Sequence, residues 1–509
     1  MKSISAILLL ITPAFAAAPC DSLASLKLPS TTLRAALVPA GGFQLPNGRA
    51  IPNLPAFCRV AGIVRPSSDS EIRFEVWLPA ENWTGRFEGI ANGGYAGSIS
   101  TGGLSAALNR GSAAAATDTG HAAATNDSTW ALGHPQKVID FAYRAIHLTA
   151  ENAKAIIATF YGNGPRHSYF DGCSNGSRQA LMEAQRYPAD YDGIVAGAPA
   201  YYWTHLLTAG AWLALDQRAH PDEFIPPAKI AVIQNAVLAA CDLADGVRDG
   251  VLNDPARCKF DPGTLLCKSG DAPDCLTAPQ VALVRHIYDG THDSSGHLVL
   301  PGFYPGGESG NGGWTSWITG AQPGAAEGII YGSGFYRNMV YENAGWPDGV
   351  AQPWSVDAAV KTADAKLAST LNATANDLGV FQARGGKLIL YHGWNDPAIP
   401  VQGTIDYFDS LTAGMGTRKT ESFARLYLVP RMQHCGGGPG ATSFDNMLPE
   451  IEKWIEENQA PGTVIATRFK TDGNRASGVL RTRPLCPYPQ SAYWDGKGNP
   501  DDAASFTCK

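Results

Sequence analysis

Past its first eighteen residues the sequence has no hydrophobic run of the roughly 20 residues that a bilayer-spanning helix needs, so no transmembrane segment and no membrane partner are expected. It has no surplus of basic residues: 39 Lys and Arg stand against 46 Asp and Glu, a net charge of −7. Nucleic acid is not an expected partner either, because phosphate binding draws on clustered cations. No grouping of His and Cys has zinc-ligand spacing. What is there is ordinary for a globular chain, 44% hydrophobic and 17% charged. At 509 residues it is too long for one simple core, so a domain with a large insertion, or two domains, is expected.

Residues 1–18 carry Lys2, an apolar run from Ile4 to Ile11, and Ala14-Phe15-Ala16 as a small-residue cleavage site. That is the pattern of a signal peptide, so the protein is expected to be secreted or periplasmic. Ten cysteines in an exported chain argue for disulfides. Sequence alone does not fix their connectivity. Proximity suggests Cys241 with Cys258, Cys267 with Cys275, Cys486 with Cys508, and Cys20 with Cys58, leaving Cys173 and Cys435.

The chain turns on Ser168-Tyr169-Phe170-Asp171-Gly172-Cys173-Ser174-Asn175-Gly176-Ser177. Ser168 to Phe170 reads as the end of a strand, and Ser177 to Tyr187 as a helix stopped by Pro188. Between them lies Gly172-x-Ser174-x-Gly176, the pattern of a strained strand-to-helix turn that lifts a serine hydroxyl above a sheet. A chain with 56 glycines can hold such a pattern by chance, so the weight falls on its surroundings.

Arg59–Val64 and Ile72–Leu78 alternate as antiparallel strands. Arg86–Ala91 runs into Asn92-Gly93-Gly94, a glycine turn placed where the amide of Gly93 or Gly94 would form an oxyanion hole with that of Asn175. Ala113–Ala116 is a further strand, Asp140–Tyr161 an amphipathic helix closed by Gly162, and Tyr191–Gly197 the next strand. This alternation implies a mostly parallel sheet in three layers, the α/β-hydrolase arrangement. From Tyr201 to about Arg384 the rhythm is lost in a region rich in Gly, Pro and aromatics, with six of the twelve tryptophans. Residues 201–383 therefore read as an inserted lid, and 19–200 with 384–509 as the catalytic domain. The lid aromatics would form its own core or line a pocket.

After the lid, strand Lys387–Tyr391 leads to Asp396 and strand Arg425–Val429 to His434. The order Ser174, Asp396, His434 is that of an α/β-hydrolase triad. His434 would take the Ser174 proton, and Asp396 would hold the imidazole. A Cys173–Cys435 bridge would clamp the nucleophile turn to the histidine loop. Cys173 as a thiol nucleophile is the weaker reading in an oxidising compartment. In the lid, Asp242, Asp245 and Asp249 are spaced through a glycine-rich loop with hard oxygen donors of the kind Ca²⁺ takes, the Val247 and Val251 carbonyls completing the shell. The register is not that of an EF-hand, and the ion is read as structural.

Gly172-Cys173-Ser174-Asn175-Gly176, Tyr187-Pro188-x-x-Tyr191-Asp192-Gly193, Ala196-Gly197-Ala198-Pro199, Thr117-Asp118-x-Gly120-His121, the Asp396 loop and His434-Cys435 together resemble the tannase and feruloyl esterase family of secreted esterases, which includes a terephthalate-monoester hydrolase. The resemblance covers nearly the whole mature chain. It implies a disulfide between the cysteines beside Ser174 and His434, and a calcium loop of the Asp242/Asp245/Asp249 type. Ser177 stands where a second glycine is expected.

The expectation is a secreted serine esterase acting on esters of aromatic carboxylic acids. Hydroxycinnamoyl (feruloyl) esters on plant polysaccharide come first, gallate esters second and terephthalate monoesters third. A calcium-stabilised binding protein without catalysis, and a peptidase on the same scaffold, are the competing readings.

Overall fold

A computed structural model describes residues 18–45, 48–348, 354–494 and 496–509. The expected leader, up to residue 17, lies outside them. Nine strands form one sheet: β1 (Thr31–Val38), β2 (Phe57–Val64), β3 (Ile72–Pro79), β4 (Arg86–Ile90), β5 (Ala113–Thr117), β6 (His167–Cys173), β7 (Gly193–Gly197), β8 (Lys387–Gly393) and β9 (Ala424–Val429), in spatial order β1-β2-β3-β5-β4-β6-β7-β8-β9. β4 to β9 run parallel, while β1, β2 and β3 add an antiparallel edge.

Alternation along the parallel strands feeds two cores, because successive side chains leave a strand on opposite faces. Phe170, Ile194, Leu388 and Leu390 face one side, under helices α1 (Ala145–Tyr161) and α2 (Asn175–Arg186). Tyr169, Val195, Ile389 and Tyr391 face the other. The structure is a three-layer α/β-hydrolase. The helix expected over Asp140–Tyr161 differs at its start: Asp140–Arg144 is a π-turn and the regular helix begins at Ala145. Gly162, with φ 80°, closes it as expected. The strand expected from Tyr191 begins at Gly193.

Among the described residues, 201–383 add no strand to this sheet. They fold mainly as helices, including α3 (Trp203–Ala219), α4 (Pro227–Cys241), α5 (Ala278–Asp289) and α6 (Glu327–Phe335). Part of the insert has its own core of Leu213, Ile233, Val237, Val284 and Trp314. Another part, with Trp203, Leu207 and Phe335, packs on Tyr95, Trp130 and Phe141 of the sheet domain. One correction concerns hydropathy. The helical segment Pro227–Asp245 is long and apolar enough to cross a membrane, with mean hydropathy 1.2. Its Ile230, Ile233 and Val237 are instead buried in the insert core.

Helices α7 (Val401–Met415, between β8 and β9) and α8 (Leu448–Glu456, after β9) cover opposite faces of the sheet. The hairpin β10 (Val464–Thr471) and β11 (Asn474–Leu485) follows. The cysteines pair as Cys20–Cys58, Cys173–Cys435, Cys241–Cys258, Cys267–Cys275 and Cys486–Cys508.

Candidate active site

β6 ends at Cys173 and α2 begins at Asn175, two residues earlier than the sequence pattern suggested, because Ser174 itself occupies the turn. Its backbone has φ 63° and ψ −126°, a conformation that stores strain of order 1–3 kcal/mol in a non-glycine residue. The turn leaves no space for side chains at its flanks. A Cβ on Gly172 would lie 2.5 Å from the Gly176 carbonyl, and one on Gly176 would lie 2.7 Å from the Ala91 methyl. The Ser174 amide donates to Gly197 O (2.9 Å), which anchors the turn to β7. Ser177, the departure from the expected glycine, is fully buried. Its hydroxyl bonds the carbonyls of Gly172 and Gly197 and so ties the ends of β6 and β7 together.

Asp396 and His434 come from the loops after β8 and β9. His434 Nδ1 lies 2.8 Å from Asp396 Oδ2. The other carboxylate oxygen accepts from the amides of Ala398 (2.8 Å) and Ile399 (3.0 Å). Burial pushes the Asp396 carboxyl up, but the His434 charge and the hydrogen bonds from His392 and His434 outweigh it and hold the group well below the usual carboxylate range. Sequence reasoning assigned no role to His392. Fully buried at the end of β8, it places Nε2 3.1 Å from both Asp396 Oδ2 and Ile399 O. Since a carbonyl only accepts, Nε2 carries the hydrogen, and Nδ1 faces the Thr404 hydroxyl at 2.7 Å. The one signal for it was its place at the end of the strand that carries Asp396.

The Cys173–Cys435 bridge, with Cα atoms 5.8 Å apart, joins the neighbours of Ser174 and His434. Both Ser174 and His434 line one cavity of about 530 Å³, together with Gly93, Gly94 and Asn175. Among the described residues the amides of these three donate to no other group. Gly94 has φ 54°, and a Cβ there would meet Thr125 O at 2.4 Å and Tyr331 Oη at 2.5 Å, whereas one on Gly93 would meet nothing within 4 Å.

The insert supplies the far wall, with Trp212, Leu213, Phe303, Trp317 and Tyr331. Trp317 packs edge-on against the His434 ring, 4.9 Å between centroids. His286 stacks on Trp212 at 3.6 Å, and burial pushes its imidazole down to about 4, so it is neutral at pH 7. Among the described residues no Lys or Arg lines the cavity. Three of the six insert tryptophans, Trp203, Trp212 and Trp317, reach it, while Trp314 and Trp346 are buried elsewhere in the insert.

In the acidic loop, Asp242 accepts from the Gly250 amide (2.9 Å), and Asp245 accepts from those of Val247 (3.0 Å) and Asn253 (3.1 Å). Asp249 accepts from the Val251 amide (2.9 Å) and pairs with Arg483 (2.6 Å) and Arg481 (2.9 Å) of β11. Burial raises the Asp245 carboxyl, and the charges of Asp249 and Asp242 add to that. Val247 and Val251 bury their side chains, and among the described residues their carbonyls accept no hydrogen bond. These donors are all oxygen, the type Ca²⁺ takes, but the three carboxylates do not converge within 4.8 Å of one another, and Asp249 is already paired with Arg481 and Arg483.

Fold and site chemistry define a carboxylic ester hydrolase on the α/β-hydrolase scaffold. Residues 58–509 match the family described as Tannase and feruloyl esterase, and the chain belongs to that family. It is 41% identical to an uncharacterised esterase of Xanthomonas campestris pv. campestris over all of this chain and 94% of that protein. It is 35% identical to a mono(2-hydroxyethyl) terephthalate hydrolase of Piscinibacter sakaiensis over 89% of this chain and 85% of that one. The crystal structure of feruloyl esterase B from Aspergillus oryzae superposes with a TM-score of 0.88 at 29% identity, covering 96% of this chain and 99% of that chain.

Proposed function

We propose that the enzyme hydrolyses esters of uncharged aromatic carboxylic acids, feruloyl and related hydroxycinnamoyl esters of plant polysaccharide first among them. Ser174 attacks the ester carbonyl as His434 takes its proton. Asp396 holds the imidazole by its Nδ1 and stabilises the cation that forms. The amides of Asn175 and of Gly93 or Gly94 receive the oxyanion. His434 then passes the proton to the leaving alcohol, and water clears the acyl-enzyme by the same route reversed.

The observation that supports this acyl group is the cavity wall supplied by the insert, which is mainly aromatic and aliphatic, with no Lys or Arg among the described lining residues. A planar ring fits it. A terephthalate monoester would bring a free carboxylate with no Lys or Arg among the described lining residues to meet it, a penalty of several kcal/mol if desolvated, and the Piscinibacter relative lends that substrate only by likeness. A galloyl ring brings three hydroxyls to a mostly apolar wall and ranks second. In the insert, Asp242, Asp245, Asp249 and the carbonyls of Val247 and Val251 would hold a structural Ca²⁺. The ion would neutralise the loop and take no part in the chemistry. The five disulfides accord with an oxidising compartment, and residues 1–18 with export to it.

The test is turnover of methyl ferulate, methyl caffeate, methyl gallate and mono(2-hydroxyethyl) terephthalate by wild type and Ser174→Ala. Hydroxycinnamates should be cleaved fastest, and Ser174→Ala should be inactive on all four. Preference for the terephthalate monoester would sink the uncharged-acyl reading, and activity in Ser174→Ala would sink the nucleophile.

A further inference from the structure

We infer that Arg178 is a positioning residue that locks the two halves of the oxyanion hole together and places a positive charge behind it. The inference rests on the active-site reading above. Arg178 stands one turn into α2, four residues after Ser174, and is fully buried. Among the described residues no carboxylate lies within ion-pair distance of it. Nε donates to Asn175 Oδ1 (2.8 Å), Nη1 to the carbonyls of Ala142 (2.9 Å) and Leu371 (3.4 Å), and Nη2 to that of Phe141 (3.1 Å). The planar group also lies over Phe141, 4.6 Å from the ring centroid, and near Trp203 at 5.1 Å. Burial pulls its pKa down to about 9, which still leaves it charged at pH 7. A buried cation without a counter-ion is expensive to keep, so a fold that keeps one calls for a reason.

Its hydrogen bonds supply one. An arginine Nε only donates, so Oδ1 of the Asn175 amide must face it, and this fixes which way that amide points. Asn175 Nδ2 is thereby turned to donate to Asn92 O (3.3 Å). From the same helix, Gln179 Oε1 accepts from the Asn92 amide (3.0 Å). Asn92 in turn donates from its side chain to Ser98 O (2.9 Å) and Thr117 O (2.8 Å). The residue before Gly93 is thus gripped on both backbone groups by side chains of the helix whose first amide is the other oxyanion donor. The spacing of the two donors is set by this network, and Arg178 sets the network. When the ester carbonyl becomes an anion, the Arg178 cation lies one side chain behind the Asn175 amide that receives it. That interaction grows as charge develops, so it acts on kcat more than on KM.

The test compares wild type, Arg178→Lys, Arg178→Met and Asn175→Ala on p-nitrophenyl acetate, together with inhibition by a trifluoromethyl ketone, which forms an anionic tetrahedral adduct on the nucleophile. In Arg178→Met, kcat should fall on the order of 10- to 100-fold with KM within threefold, and the ketone's Ki should rise by the same factor. Arg178→Lys, which keeps the charge without the planar fork, should fall between. A folded Arg178→Met with kcat within threefold of wild type overturns the inference, as does a fall in kcat without a matching rise in Ki. Asn175→Ala keeps the backbone amide and the Arg178 charge while removing the acceptor of its Nε, so it decides the matter if Arg178→Met does not fold. A joint shift of about tenfold supports the relay, and unchanged kcat and Ki overturn it. A wild type that ignores methyl ferulate yet cleaves p-nitrophenyl acetate loses only the substrate reading and leaves this comparison standing.

Discussion

Replacing Cys173 and Cys435 together by alanine asks whether their bridge is a staple of the fold or a clamp on the active site. The bridge spans 262 residues of sequence, whereas Cys486–Cys508 spans 22. Chain entropy alone assigns the first about 5–6 kcal/mol and the second about 3 kcal/mol, so the two removals should differ by roughly 2 kcal/mol in stability. Local geometry adds a second effect. Ser174 and Cys435 both hold positive φ, 63° and 61°, strain of order 1–3 kcal/mol each that relaxes once the covalent tie is gone. The His434 ring keeps its 2.8 Å contact with Asp396, so it stays on its side of the cavity while the serine turn shifts. A displacement near 1 Å is enough for about 100-fold in rate. The double variant should therefore lose about 100-fold in kcat on p-nitrophenyl acetate and label slowly with a fluorophosphonate. The Cys486→Ala/Cys508→Ala control should lose urea resistance while keeping kcat within threefold. If the Cys173/Cys435 variant also keeps its kcat within threefold, the bridge is only a staple and the clamping argument is wrong.

Gly94→Ala should lose on the order of 100-fold in kcat, because its Cβ meets the Thr125 carbonyl at 2.4 Å in a left-handed conformation, while Gly93→Ala should stay within a few-fold on a small ester; the reverse ranking would refute the assignment of space in this turn. Glu183 is buried beside Asp190, and burial reinforced by that neighbour's charge holds its pKa well above normal. A raised folded pKa means stability is fully present below the unfolded value of about 4.3 and falls as pH rises through the folded one. The urea midpoint of wild type should thus decline as pH rises above about 4.3, and that of Glu183→Gln less steeply; equal slopes would show that Glu183 is not the titrating group. Chelation should lower the thermal midpoint, added Ca²⁺ should restore it, and Asp245→Asn should abolish that response; a midpoint indifferent to chelator would remove calcium from the account.

The order of the parallel strands was legible because they are buried on both faces and read as short apolar runs: Ala113–Ala116, Ile194–Ala196, Leu388–Tyr391. The turn around Ser174 was legible because its glycines are steric necessities. The β1 edge strand and the β10–β11 hairpin escaped notice, since half-exposed strands carry a weaker pattern. Arg178 and His392 escaped for another reason. On α2, Arg178, Gln179 and Glu183 look like a solvent face, yet every residue from Asn175 to Ala184 is buried between the sheet and the segments above it. Local sequence gives polarity and not what lies on top, and a buried polar network is assembled from partners as far apart as Asn92 and Leu371. The cavity wall was out of reach on the same grounds, because Trp212, Phe303 and Trp317 converge only through the packing of the insert.

Trp317 carries a consequence for how such an enzyme can change its diet. The same indole that lines the cavity packs edge-on against the ring of His434, the proposed base. A substitution there that admits a larger acid also uncovers one face of the His434 ring. New specificity reached through this position disturbs the packing of that ring, whereas specificity reached through Leu213 or Phe303 leaves the Trp317 contact in place.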